Sequence, residues 1–175
     1  LDYDLWVDDQ DRMRQVQIDL GSTASVDMKI FDWDEPVDIE APPEVVVAHL
    51  VTAEGMVAWM GQHAELDARP GGRFSVDING SPVRGRFVEV DPPRRVVVTW
   101  GVAGSEVHPP GSSRVEFTLV PVGDNTRLDL VHRDLPAERA PGYARGWEHF
   151  GARLAMAAPG GDPGPDPWSD RWVAE

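Results

Sequence analysis

There is no cysteine anywhere in the chain, which excludes disulfides, thiolate nucleophiles and thiolate metal sites together. Basic side chains are scarce: 16 Lys and Arg stand against 30 Asp and Glu, a formal net charge of −14. No basic stripe exists to neutralise phosphate, so nucleic acid is not an expected partner, and an anionic membrane surface is disfavoured for the same reason. Long apolar runs are missing too. None approaches the roughly 18 residues that span a bilayer; the sequence begins at Leu1 rather than Met and does not open on a basic-then-apolar stretch, which suits a fragment or a processed product. A cytoplasmic location is expected, or a cell-envelope one if an upstream lipoprotein signal has been lost. No nucleophile elbow, Ser–His–acid motif, phosphate loop or dinucleotide fingerprint occurs. The chain therefore reads as a binder before it reads as an enzyme, with no catalytic residue and no cofactor assigned.

What is present suits one folded domain with an appendage: 175 residues, of which 41% are hydrophobic, are enough for one core and cramped for two. Charge is uneven along it. Residues 1–43 hold twelve acids and three bases, −9, leaving eighteen acids and thirteen bases, −5, for the remainder. In that acidic first part, Leu5 and Val7, Val16 and Ile18, and Val26, Met28 and Ile30 alternate with polar residues, the period of half-buried strands. "DDQDR" (8–12) and "GST" (21–23) supply turns. A β-meander extension is expected over 1–43, and its exposed edges suggest a weak homodimer, with the dense acids as a brake.

The texture changes at "APPE" (41–44). Pro43 fits a first helical turn and Glu44 suits the positive helix end, so a helix is expected over about 43–52, although three consecutive valines are poor helix formers. "AEGMVAWMG" continues as a second short helix with Met56 and Trp59 on one face. Alternating runs then follow. Phe74, Val76 and Ile78 share a face; so do Val115, Phe117 and Leu119, then Leu128, Leu130 and His132. From 141 to 158, Tyr143, Trp147, Phe150 and Leu154 recur at helical spacing. Residues 159–175 are too rich in Pro and Gly for regular structure and are expected to run extended, pinned by Trp168 or Trp172. This is an α+β plan in which a curved antiparallel sheet must wrap around a long C-terminal helix to bury its stripe.

"GMVAWMG", "LDARPGGRFSVDING", "GRFVEVDPPRRVVVTWG", "PPGSSRVEFTLVPVGDNTRLDLVHRDLP" and "GWEHFGARLA" together resemble the activator of heat-shock-protein-90 ATPase-like family of the START-like, helix-grip superfamily, over about 41–168. The resemblance implies a sheet gripping the C-terminal helix around an apolar pocket. It includes "GGDPGPDPW", a tail found in actinobacterial members. Val47 stands where the family favours an aromatic residue, and Val51 and Ala53 replace its usual Thr and Pro. Residues 1–43 resemble instead the closing strands of an actinobacterial lipid-binding lipoprotein family. "EPVDIE" (35–40) suits both roles, closing one sheet or opening the other. Three parts follow: a β-strand extension over 1–43, a helix-grip domain over 44–158 and the tail over 159–175.

In a helix-grip domain a small hydrophobic ligand would lie between sheet and helix. The residues expected to line its site are Trp59, Phe74, Val76, Phe87, Trp100, Phe117, Leu119, Leu130, His132, Trp147, Phe150 and Leu154. Core packing explains the tryptophans as well. His132 reads first as a core histidine bonded to backbone, and second as a polar contact or acid–base group on the pocket wall. The five histidines show no i, i+4 pair, and "DDQDR" lacks the rest of a calcium loop, so no metal site is expected. Two other functions remain in view: a co-chaperone-like module, with a stress-response role, for which a chaperone partner is not favoured, and a polyketide cyclase or dehydratase working through His132.

Overall fold

The computed structural model describes residues 2–7, 13–19, 25–29 and 33–168. Its first three strands, β1 (Asp2–Val7), β2 (Met13–Asp19) and β3 (Ser25–Lys29), form an antiparallel sheet in that order. The turns expected at 8–12 and 21–23, and Trp172, lie outside the described residues.

The chain continues as β4 (Trp33–Ile39), α1 (Pro43–Val51), α2 (Ala53–Val57), β5 (His63–Leu66), β6 (Arg73–Ile78), β7 (Ser81–Asp91), β8 (Arg95–Trp100), β9 (Ser113–Val122), β10 (Asn125–Arg133) and α3 (Ala140–Ala157). β4 to β10 make one seven-stranded antiparallel sheet in the order β4-β10-β9-β8-β7-β6-β5. "EPVDIE" thus lies mostly in β4, which pairs with β10 at one edge. α1 and α2 carry the chain from there to β5 at the other edge.

α1 forms although valine disfavours helix, because Val46, Val47 and Leu50 are buried against the sheet, and tertiary burial outweighs a few tenths of a kcal/mol of propensity per residue. It stops at Thr52, which is extended and whose hydroxyl accepts the Gly55 N–H at 3.1 Å, capping α2. The β6–β7 hairpin turns through Asn79 and Gly80, both at positive φ (46° and 98°), the two-residue turn that suits strand twist. β7 is the longest strand. It pairs with β6 through residues 81–86 and with β8 through 87–91, with a bulge between Phe87 and Glu89 that adds twist where the two halves meet. Gly85 faces the Thr99 carbonyl so closely that a Cβ there would lie 1.8 Å from it.

One face of this sheet carries Phe74, Val76 and Ile78 (β6), Val96, Val98 and Trp100 (β8), Val115, Phe117 and Leu119 (β9), and Leu128, Leu130 and His132 (β10), all buried. α3 lays Trp147, Phe150 and Leu154 on that face, each contributing about 1.5–3 kcal/mol by burial. Gly151 lets it approach β4, since a Cβ there would sit 3.0 Å from Val37. The sheet gripping a terminal helix is the arrangement the hydrophobic pattern predicts.

Candidate functional site

Packing between α3 and the sheet is tight but incomplete. A cavity of about 50 Å³ remains beside the first turns of α3, walled by Ile78, Val83, Trp100, Tyr143, Trp147 and Phe150, with Trp168 over it. One or two waters would fill it, and it is well under the ~300 Å³ at which small-molecule sites usually start. Of the side chains expected to line a ligand site, Trp100, Trp147 and Phe150 are in this wall. Trp59, Phe74, Val76, Phe87, Phe117, Leu119, Leu130, His132 and Leu154 are buried in the surrounding core and form no part of it. Tyr143, which belongs to the apolar stripe but not to the residues expected to line a ligand site, is in the wall as well, together with Gly142 and Gly146, which the stripe does not single out.

Trp168, from the chain after α3, forms one side of the cavity. Arg153 holds this segment: its guanidinium donates to the Trp59 carbonyl (3.0 Å) and to those of Pro163 (3.3 Å) and Gly164 (2.9 Å). Asp166 is the second clasp. One carboxylate oxygen pairs with His149 Nε2 at 2.7 Å and accepts the Trp168 N–H at 2.9 Å, and the other accepts from Asn79 at 3.1 Å. Asn79 also donates to the Trp168 carbonyl. The Trp168 indole stacks on the His149 ring, with centroids 5.1 Å apart and planes 24° apart. The described part of the tail, through Trp168, is therefore a strap pinned by polar contacts beside an apolar gap.

Behind the cavity a chain of buried polar groups ties α3 to three parts of the sheet. Trp147 Nε1 donates to His132 Nδ1 at 3.0 Å. An indole N–H only donates, so His132 Nδ1 accepts, the ring proton is on Nε2, and that proton faces Ser113 Oγ at 2.8 Å. His132 is therefore bonded to side chains, where a backbone partner was expected, because Trp147 and Ser113 reach it from both sides. Ser113 Oγ also lies 3.2 Å from the Trp100 carbonyl and 2.6 Å from His108 Nε2, and His108 Nδ1 is 2.9 Å from the Tyr143 hydroxyl. Burial holds the His132 pKa well below the usual histidine range, with His108 adding to the effect. His108 is pushed down to about 4, by burial first and then by the Arg139 guanidinium. Both rings are neutral at pH 7. His108 carries no periodic signal in the sequence, since it sits in a Pro- and Gly-rich connection, whereas Ser113 is in phase with the inward face of β9 but is polar and so not counted with it.

A larger concavity lies elsewhere. A groove of about 1060 Å³ on the other face of β5–β8 is lined by Glu65, Asp67, Arg69, Arg73, Asp77 and Arg84 among others. Its charges pair with one another: Arg73–Glu65 at 2.6 Å, Arg84–Asp77 at 2.7 Å and Arg69–Asp67 at 2.9 Å. Exposed pairs of this kind are solvated surface worth about 0–1 kcal/mol each. Among the described residues no three His, Asp or Glu side chains converge as metal ligands, and no helix is long and apolar enough to cross a membrane.

Residues 40–158 match the family described as Activator of Hsp90 ATPase homolog 1-like protein. The chain belongs to this family. An AHSA1-like protein of Rhizobium etli is 40% identical and superposes with a TM-score of 0.64, over 82% of this chain and 91% of that one. The Aha1 dimer of Colwellia psychrerythraea, at 18% identity, shares the fold with a TM-score of 0.66 over 77% of this chain and 98% of its own. A curated relative from Schizosaccharomyces pombe is 26% identical over 117 residues, 66% of this chain, which thus spans about a third (33%) of that protein's length.

Proposed function

We propose that this AHSA1-like chain binds a small apolar or aromatic molecule between α3 and the sheet, admitted when the strap over residues 159–168 lifts. The observation that carries the reading is how the gap is closed. Its floor is aromatic and aliphatic core, whereas its roof is one indole held by hydrogen bonds near the surface. Lifting Trp168 adds the volume of an indole to the cavity, at the loss of its contacts with His149, Phe150 and Asn79. An acid–base role for His132 has poor support by comparison, since both ring nitrogens are engaged and the ring is outside the wall. The family description also suggests docking on a chaperone ATPase, a reading that a pull-down against such an ATPase tests separately.

Titrating tryptophan emission with fatty acids, flavonoids and aromatic polyketides tests the binder. A saturable change is expected with at least one class, and Gly146→Leu, which fills the cavity from α3, is expected to abolish it. No saturable change with any class would contradict the reading.

A further inference from the structure

One residue of the wall, Trp100, carries a polar group with no hydrogen-bond partner. Trp100 is 2% exposed, and its indole Nε1–H is buried without a hydrogen-bond partner. The rings of Phe74, Trp147 and His132 crowd it, with centroids 5.6, 5.3 and 5.9 Å away. Two aromatic neighbours in the wall differ: Trp147 Nε1 is committed to His132, and the Tyr143 hydroxyl meets His108 Nδ1. A buried donor left unpaired costs free energy, and most buried donors in folded proteins are satisfied. An indole can only donate, so the group able to relieve that cost is an acceptor arriving from outside the protein.

We propose that Trp100 Nε1–H is the polar anchor of this cavity, and that its ligand is an apolar or aromatic molecule bearing a hydrogen-bond acceptor without a donor, such as an aryl ketone. This inference rests on the binding reading above and narrows it to a ligand class. The acceptor meets the indole at the floor while the apolar body takes the space vacated by Trp168. A hydrocarbon of the same shape fills the same space and leaves the indole unpaired. A ligand whose polar atom must donate gains nothing from the Trp100 indole.

Acetophenone and ethylbenzene differ only by carbonyl against methylene and make the test. Indole N–H resonances of the full chain are followed by proton–nitrogen correlation spectra during titration with each, the Trp100 line being assigned from Trp100→Phe. Both compounds are expected to move the Trp147 and Trp168 lines, and acetophenone alone is expected to shift the Trp100 line downfield. Acetophenone should bind about 5- to 10-fold more tightly, the worth of one neutral hydrogen bond. In Trp100→Phe, which keeps a ring in the wall, that ratio should fall to about one, as expected when the single bond is removed. If both compounds bind but move the Trp100 line alike, the anchor is overturned and the cavity remains a binder. If neither moves the Trp147 and Trp168 lines, the binding reading fails and the anchor with it.

Discussion

His108 and His132 are held neutral in the folded protein, and an unfolded chain would protonate both near pH 6.5. Below that value the unfolded state binds more protons than the native one, so stability falls with pH. It is complete above about pH 7 and declines from about pH 6.5 towards the His108 value of about 4. Urea midpoints measured from pH 8 to 4.5 should be flat at first and then drop, and His108→Gln should make the drop shallower. An equal drop in that variant would contradict the neutral assignment. Ser113 is the hinge of the same chain: Ser113→Ala leaves the His132 Nε2 proton buried without an acceptor and should cost about 1–3 kcal/mol in urea denaturation. Only part of this was legible. The alternation Leu128, Leu130, His132 puts that histidine inside and the α3 stripe puts Trp147 there too, but periodicity does not say that these two rings and Ser113 meet, and His108, which continues the chain of bonds, comes from a loop with no period.

At the scale of elements, α3 was the most legible. Tyr143, Trp147, Phe150 and Leu154 predict a helix over 141–158, and α3 spans Ala140–Ala157 because the stripe has one large face to cover. The glycines of that helix were not legible, and they behave differently. A Cβ at Gly146 would meet only the Trp168 ring, at an ordinary 3.6 Å, whereas one at Gly151 would lie 3.0 Å from Val37 of β4. Gly146→Ala should therefore stabilise by about 0.5–1 kcal/mol through helix propensity. Gly151→Val should destabilise by about 1–3 kcal/mol through overpacking. Thermal melts of the two variants check the contrast; shifts of the same sign would contradict the docking of α3 on β4. The bulge in β7 and the close approach of Gly85 to β8 follow from strand register, which alternating hydrophobicity leaves open.

For the whole molecule, the hydrophobic pattern separates inside from outside correctly but does not show where packing leaves a gap. Trp59, Phe117 and Leu154 are as buried as expected, yet they close the core, and the wall falls to Trp100, Tyr143 and Trp168. A gap depends on the shapes of three layers at once, including a Pro- and Gly-rich tail whose path no period specifies. That tail controls entry in this account. Asp166 accepts from His149, Asn79 and the Trp168 backbone, and hydrogen bonds worth about 1 kcal/mol each hold the strap down. Asp166→Ala should raise the association rate of an apolar ligand about tenfold in stopped-flow fluorescence, the kinetic equivalent of about 1.4 kcal/mol. An unchanged rate would show that the strap is no gate.

The most direct measurement is a crystal structure grown with 1-bromonaphthalene, with the bromine located by its anomalous signal. One strong peak is expected between the first turns of α3 and the Ile78–Val83–Trp100 wall, with Trp168 displaced. A peak confined to the charged groove on the other face, or an ordered Trp168 over an empty cavity at saturating ligand, would contradict it.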